Sequence, residues 1–281
     1  MRYAICNETF GTAPMDATFA QLRDMGYEGI EIAPFTLCGN SGGEEQQAID
    51  ARHVSAEQRR EVVRQAAQAG LEVVGLHWLL AKTEGFYLTS PDAAVRAATI
   101  DYFHALVELC HDLGGQVMVL GSPLQRNLLP GVAYEEAEQY AAEVLRAVMP
   151  ACSASGVTIA VEPLGPAEGD FLLTAASGVR LAEMVDSPNC RLHLDVKAMS
   201  SEADPIEQII RDYADWMVHF HANDPNRLGP GMGDVDFRPI FAALRDVNYQ
   251  GWVSVEAFRY EPTPLELARI SIENMRRDAG E

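Results

Sequence analysis

Apolar positions along the chain gather into eight short runs. Each is followed by polar turn residues and then a longer stretch in which apolar side chains recur every three or four positions. The runs are Tyr3–Asn7, Gly29–Ala33, Leu71–His77, Gln116–Gly121, Val157–Glu162, Arg191–Asp195, Met217–His221 and Trp252–Glu256. Short aliphatic and β-branched runs without strict alternation predict strands buried on both faces, as in a parallel sheet. The intervening patterns predict helices over about Met15–Met25, Ser55–Ala69, Ser90–Leu113, Tyr134–Ala154, Thr174–Val185, Pro205–Tyr213, Phe237–Val247 and Pro264–Arg277. Gly26, Gly70 and Gly156 are placed to close three of them. Ser55 is expected to cap one N-terminus, and Ser90 another with Pro91 at the first helical position. A polar stretch from Gly39 to about Asp50, and Phe86–Ser90, read as loops.

Eight strand–helix units with no linker or low-complexity tract fit one (β/α)8 TIM barrel of class α/β, a single domain over 1–281. A doubly wound open sheet would usually carry a Gly-rich phosphate turn after its first strand. Here that turn reads Cys6-Asn-Glu-Thr-Phe10.

The composition narrows the classes. With 48% apolar residues the chain is ordinary globular material, and no apolar run approaches the roughly 18 residues of a membrane span. A net charge of −20 opposes a phosphate backbone, so no nucleic acid partner is expected. The five cysteines are scattered without a C-x-x-C pair, and Met1-Arg2-Tyr3 leads straight into a strand without the pattern of a secretory leader. A cytoplasmic protein with reduced thiols and no membrane association is the expectation. Pairing into a homo-oligomer is open by analogy with other barrels alone.

The chemistry lies at the ends of the last four strands, which finish in Glu162, Asp195, His221 and Glu256. Parallel neighbours bring these ends to one rim, where three carboxylates and one imidazole suit a hard or borderline divalent ion. Residues two apart share a strand face. Ala160, His193, His219 and Ser254 therefore lie one layer down. His193 and His219 could themselves be ligands, but hydrogen-bonded core roles are expected for both. His77 and Glu31, near the ends of strands three and two, could line the pocket. His53, His104 and His111 fall in helical or loop contexts and read as surface residues.

Glu162, Asp195, His221 and Glu256, spaced 33, 26 and 35 residues apart, give the chain its resemblance to the sugar isomerase/epimerase superfamily with the xylose-isomerase-like barrel. Its pattern is nearest to the ketose 3-epimerases, and the resemblance runs over essentially the whole chain. It implies that these four residues hold one divalent metal ion (Mn²⁺, Mg²⁺ or Co²⁺), with Glu162 and Glu256 also serving as catalytic acid and base. It further implies that Glu168 and Arg227 bind a terminal hydroxyl of a small-molecule sugar substrate. The pattern departs at Ala198, where those enzymes carry His. Lys197 stands beside the gap, and Arg126, Asn223 and His77 complete the expected substrate contacts.

The implied reaction is proton transfer through an enediolate on a ketose or related polyol, as in an isomerase or epimerase. The departure at 198 keeps a metal-dependent lyase or dehydratase acting on a keto-sugar or keto-cyclitol as the alternative. A carbohydrate-binding barrel without turnover is a third reading. Endonuclease-type repair is disfavoured, because a three-metal cluster needs more rim histidines than the chain supplies and the charge opposes DNA.

Overall fold

All eight predicted strands form and close on themselves. In a computed structural model that describes residues 1–38 and 50–281, the strands are β1 (Arg2–Cys6), β2 (Gly29–Ile32), β3 (Glu72–Leu76), β4 (Val117–Leu120), β5 (Thr158–Val161), β6 (Cys190–Asp195), β7 (Met217–Ala222) and β8 (Trp252–Val255). They pair in parallel in sequence order, and β8 returns to β1. The helices are α1 (Met15–Met25), α2 (Ala56–Ala69), α3 (Ala93–Asp112), α4 (Tyr134–Ser155), α5 (Ala175–Val185), α6 (Val196–Met199), α7 (Ile206–Asp212), α8 (Phe237–Asp246) and α9 (Pro264–Ala279). The structure is the expected (β/α)8 barrel. The polar stretch from Gly39 lies outside the described residues except for Asp50.

Local chemistry sets most boundaries where the sequence places them. Ser55 and Gln58 form a reciprocal capping box at the start of α2, and Gly26, Gly70 and Gly156 adopt left-handed conformations that close α1, α2 and α4. The start of α3 differs from expectation. Asp92, and not Ser90, is the cap: its carboxylate accepts from Ala94 N at 2.8 Å, while Ser90 Oγ accepts from Asp92 N. A carboxylate satisfies a free helix N–H and also opposes the positive end of the helix dipole, which a hydroxyl cannot do. Pro91 therefore precedes the helix.

Two short features at β6 and β7 fix where the rim side chains stand. Helix α6 begins directly on Asp195, whose Oδ1 accepts from Ala198 N at 2.7 Å. The pairing of β6 with β7 shifts between Leu192 and His193, so that His193 faces His219 and Asp195 faces His221. The five described free cysteines include four that are buried. No described helix is long and apolar enough to cross a membrane.

Apolar side chains such as Leu192, Leu194, Phe220, Val253 and Val255 are buried, and the surrounding helices contribute Phe103, Leu106, Leu145, Phe241 and Leu244 to the same core. Fully burying each such side chain contributes about 1.5–3 kcal/mol. The barrel interior near the strand ends is different, because Glu31, His77, His193, His219, His221 and Ser254 are all wholly buried there. Branched aliphatic residues usually fill this space in (β/α)8 barrels.

Ring closure between β3 and β4 depends on Gly75. A Cβ at that position would lie 1.8 Å from Val117 O on the neighbouring strand. Gly75→Ala should therefore destabilise the barrel by about 2 kcal/mol or more, lowering the midpoint of thermal unfolding by roughly 4 °C or more. An unchanged midpoint in circular dichroism would show that this close approach does not constrain the fold.

Candidate metal centre and active site

The rim of the barrel collects its carboxylate and imidazole side chains from four consecutive strands. Glu162 follows β5, Asp195 ends β6, His221 lies in β7 and Glu256 follows β8. Donor atoms of Glu162, Asp195, His221 and also His193 lie within 4.8 Å of one another, and all four residues are buried. Glu256 joins them through its Oε2, 3.3 Å from His221 Nδ1. Its Oε1 accepts from Trp78 Nε1 at 2.7 Å, which fixes the rotamer of the carboxylate. Trp78 has a left-handed backbone (φ 53°), a conformation uncommon for a non-glycine residue and concentrated at functional turns.

Glu31 organises the layer beneath. It receives His219 Nε2 at 2.9 Å, and His221 Nε2 lies 3.2 Å from both of its oxygens. With Nε2 as the protonated nitrogen, His221 presents the lone pair of Nδ1 to the cluster, which is how a ligating imidazole is usually oriented. Burial pushes the Glu31 carboxyl up, but the two imidazoles outweigh it and hold the group well below the usual carboxylate range. His77 Nε2 lies 2.6 Å from Glu8 Oε2, on another side of Glu31. The His219 arrangement is the hydrogen-bonded core role expected for it.

His193 departs from that expectation. Among the described residues no group comes within hydrogen-bond distance of either ring nitrogen, although the residue is wholly buried. Its Nε2 is 3.8 Å from Glu162 Oε1, and its ring meets that of His221 edge-on with centroids 4.2 Å apart. The hydrogen-bonded role expected from the sequence fails because its nearest polar neighbours are the rim carboxylates and other imidazoles, none at bonding distance.

The electrostatics call for a cation. Burial, then Glu256 and Asp195, push the Glu162 carboxyl well above its ordinary range, and burial chiefly raises that of Asp195. Glu256 runs the other way, because His221 beside it overcomes the effect of burial. Burial and the neighbouring imidazoles of His221 and His219 hold His193 well below the ordinary histidine value, leaving it neutral. The spacing suits an ion as well. Two donors each about 2.1 Å from one ion lie about 3 Å apart when adjacent and about 4.2 Å when opposite. The 3.3 Å and 3.8 Å separations fall in that window. Gly121 completes the cradle, since a Cβ there would lie 1.6 Å from Glu162 Oε2.

The other expected residues take distinct places. Asn223 is fully buried and stands behind Asp195: its Nδ2 donates to Asp195 Oδ2 and its Oδ1 accepts from Lys197 N at 2.9 Å. Both ends of its amide are thus engaged within the protein. Lys197 Nζ donates to Glu168 Oε2 and lies 4.9 Å from the centroid of the Phe258 ring. Arg126 is buried, with Nη1 donating to Leu120 O at 2.9 Å, while Nε and Nη2 have no partner among the described residues. Burial lowers its pKa to about 10 against the opposing pull of Glu162 and Glu168. Arg227 is exposed, with a left-handed backbone (φ 73°), and its guanidinium lies 5.8 Å from the Phe258 ring centroid. Phe35, Trp78 and Phe258 form a line of rings with centroids 5.9 and 6.0 Å apart. His53, His104 and His111 are exposed, as read from the sequence.

Sequence reasoning missed Trp78, Glu8 and Asp224. Asp224 is buried and accepts from the backbone N–H groups of Gly231, Gly233 and Val235, tying together the loop after β7. The Gly-rich stretch that follows it was the available signal, since closely spaced glycine N–H groups need an acceptor.

A barrel with a carboxylate–imidazole cluster at the C-terminal ends of its strands defines a class of protein in which the active site is built from the loops at that face. The chain belongs to the xylose isomerase-like TIM barrel family, whose pattern matches residues 12–278. Among curated relatives, it is 29% identical over 191 residues to a probable ketose 3-epimerase of Synechocystis sp., covering 64% of this chain and 63% of that protein. It is 32% identical over 178 residues to the D-psicose 3-epimerase of Agrobacterium fabrum, covering 61% and 60% respectively. The matched segments thus span about three fifths of these relatives' length. A crystal structure of D-psicose 3-epimerase in the presence of D-fructose superposes over 100% of both chains with a TM-score of 0.83 at 22% identity, which shows the shared fold.

Two substitutions probe the cradle without removing a proposed ligand. Gly121→Ala should weaken Mn²⁺ binding by about 10–100-fold because Glu162 must move. Trp78→Phe, which keeps a ring but frees Glu256, should weaken it less, by about 3–10-fold. Titration calorimetry with Mn²⁺ measures both, and equal wild-type affinities would show that neither contact shapes the site.

Proposed function

We propose that the protein is a divalent-metal-dependent sugar epimerase or isomerase acting on a ketose or related polyol. The single observation that carries this reading is the buried grouping of Glu162, Asp195 and His221 donor atoms, with Glu256 Oε2 3.3 Å from His221 Nδ1 and the two glutamates arriving from β5 and β8. The names of the relatives, a ketose 3-epimerase and a D-psicose 3-epimerase, point the same way. Glu162, Asp195, His221 and Glu256 would hold one ion, with Mn²⁺, Mg²⁺ and Co²⁺ all suited to oxygen-rich donors. When bound, such an ion supplies Lewis acidity that stabilises negative charge developing on the substrate's carbonyl oxygen.

The rest falls to the chain's own residues. One of Glu162 and Glu256 takes the proton from the carbon beside the carbonyl, leaving an enediolate, and the other returns a proton to the opposite face. Return on the opposite face inverts that carbon, whereas return to the neighbouring carbon on the same face interconverts aldose and ketose. Trp78 keeps Glu256 aimed, and Asn223 with the Ala198 N–H keeps Asp195 aimed. Glu168, Lys197 and Arg227 supply polar contacts for substrate hydroxyls at the mouth, with Arg126 behind Glu168 and His77 deeper within. The rings of Phe35, Trp78 and Phe258 limit water there. A cytoplasmic setting is part of the same proposal, consistent with five free cysteines.

Ala198 favours a second reading. Without a histidine there, the same base and ion could expel a β-substituent from a keto-sugar, making the protein a lyase. The products differ, because an epimerase conserves the substrate's mass and a lyase does not.

Chelation followed by dialysis should abolish turnover, and Mn²⁺, Mg²⁺ or Co²⁺ should restore it. Full activity in the metal-free protein would end the proposal. In D₂O with a panel of ketoses, Glu162→Gln and Glu256→Gln should each slow deuterium incorporation at the reacting carbon by about 10²–10⁴-fold. Undiminished exchange would remove that residue from the acid–base role. Arg227→Ala should raise KM by about tenfold or more with little change in kcat, the pattern of a group that binds substrate and transition state alike.

A further inference from the structure

We infer that His193 is a fifth ligand of the metal centre, giving it two imidazoles in place of one. The inference rests on the proposed metal centre and concerns only what holds the ion. Three observations carry it. His193 is wholly buried with both ring nitrogens unpartnered among the described residues, a costly arrangement unless something else occupies a lone pair. One of those nitrogens belongs to the same tight group of donor atoms as Glu162, Asp195 and His221. The 3.8 Å between Nε2 and Glu162 Oε1 is too long for a hydrogen bond but falls between adjacent and opposite positions around one ion.

The contrast with its neighbour is informative. His219 lies at the same level on the next strand, and its Nε2 is committed to Glu31 at 2.9 Å. That bond gives His219 a supporting role and takes its Nε2 out of the cluster. His193 has no such carboxylate. Strand alternation turns it to the same face as Asp195, and the edge-on ring of His221 at 4.2 Å holds it in place. His193, His219 and His221 also form a close imidazole group, but Glu31 ties the Nε2 atoms of the latter two. The cluster containing Glu162 and Asp195 is therefore the one in which unpartnered imidazole nitrogens of His193 and His221 meet carboxylate oxygens.

A second imidazole changes what the site prefers. Three carboxylates with one imidazole suit Mg²⁺ and Mn²⁺, while a second nitrogen donor shifts preference toward Co²⁺, Ni²⁺ and Zn²⁺. The test uses the intact protein loaded with Mn²⁺ and pulsed electron paramagnetic resonance, which counts coordinated imidazole nitrogens. Wild type should show two imidazoles and His193→Gln one. The ratio of Co²⁺ to Mn²⁺ affinity, measured by dye competition, should fall at least tenfold in His193→Gln and in His193→Leu. One imidazole in the wild-type spectrum would overturn the inference, and because it needs no variant it does not depend on whether the variants fold. An unchanged affinity ratio in folded variants would overturn it equally. Failure of the wild-type protein to bind any divalent ion would overturn the metal centre along with it, so the two failures are distinguishable.

Discussion

Three carboxylates buried within a few ångströms of one another cannot all remain charged without compensation, and this repulsion is the constraint on which the rim of the barrel turns. Separating such charges would require opening the ring, and neutralising them by protonation is what the raised Glu162 and Asp195 carboxyls register. Each is held by a different local device. Asp195 is both the end of β6 and the cap of α6, Glu256 is gripped by Trp78, and Glu162 fits only because residue 121 has no side chain. The arrangement keeps mutually repelling groups close, which favours capture of a cation over stability for its own sake.

The layer below supports the same end. Glu31 on β2 reaches across the barrel to His219 and His221 on β7, residues 188 and 190 positions away in the chain. This contact sets which nitrogen of His221 carries its proton and so which one faces the rim. It also stands in for the aliphatic packing that other barrels place here. The core between strands and helices must then provide most of the cohesion. Against a net charge of −20, the cationic side chains Lys197 and Arg227 both lie within 6 Å of the Phe258 ring.

Much of this was legible in the sequence because it obeys short-range rules. Strand ends showed as apolar runs closing on charged residues, and helix ends showed as glycines and capping side chains. Met15–Met25 was readable to the residue, as Gly26 is the only nearby position suited to a left-handed stop. What was not legible depends on contacts across the barrel axis, which leave no periodicity along the chain. The partnering of Glu31, the grip of Trp78 on Glu256 and the lack of partners for His193 among the described residues are all of this kind. Asn223 reads as a polar loop residue near the mouth, and only the fold shows both ends of its amide committed. At the start of α3 the sequence reading put the cap at Ser90, but Asp92 takes that place, because its carboxylate also opposes the helix dipole.

The one-residue slip between β6 and β7 governs how this architecture can drift over time. Had pairing continued in step from Leu192 opposite Met217, Asp195 would stand level with outward-facing Phe220, and His221 would sit a step out of phase. The extra residue on β7, Val218, restores the phase. Lengthening or trimming the chain within these strands would therefore scramble the donor set at once, whereas the loops between them can grow or shrink freely. Descendants of this sequence can change what enters the mouth by remodelling loops, while the count of residues inside each strand stays locked.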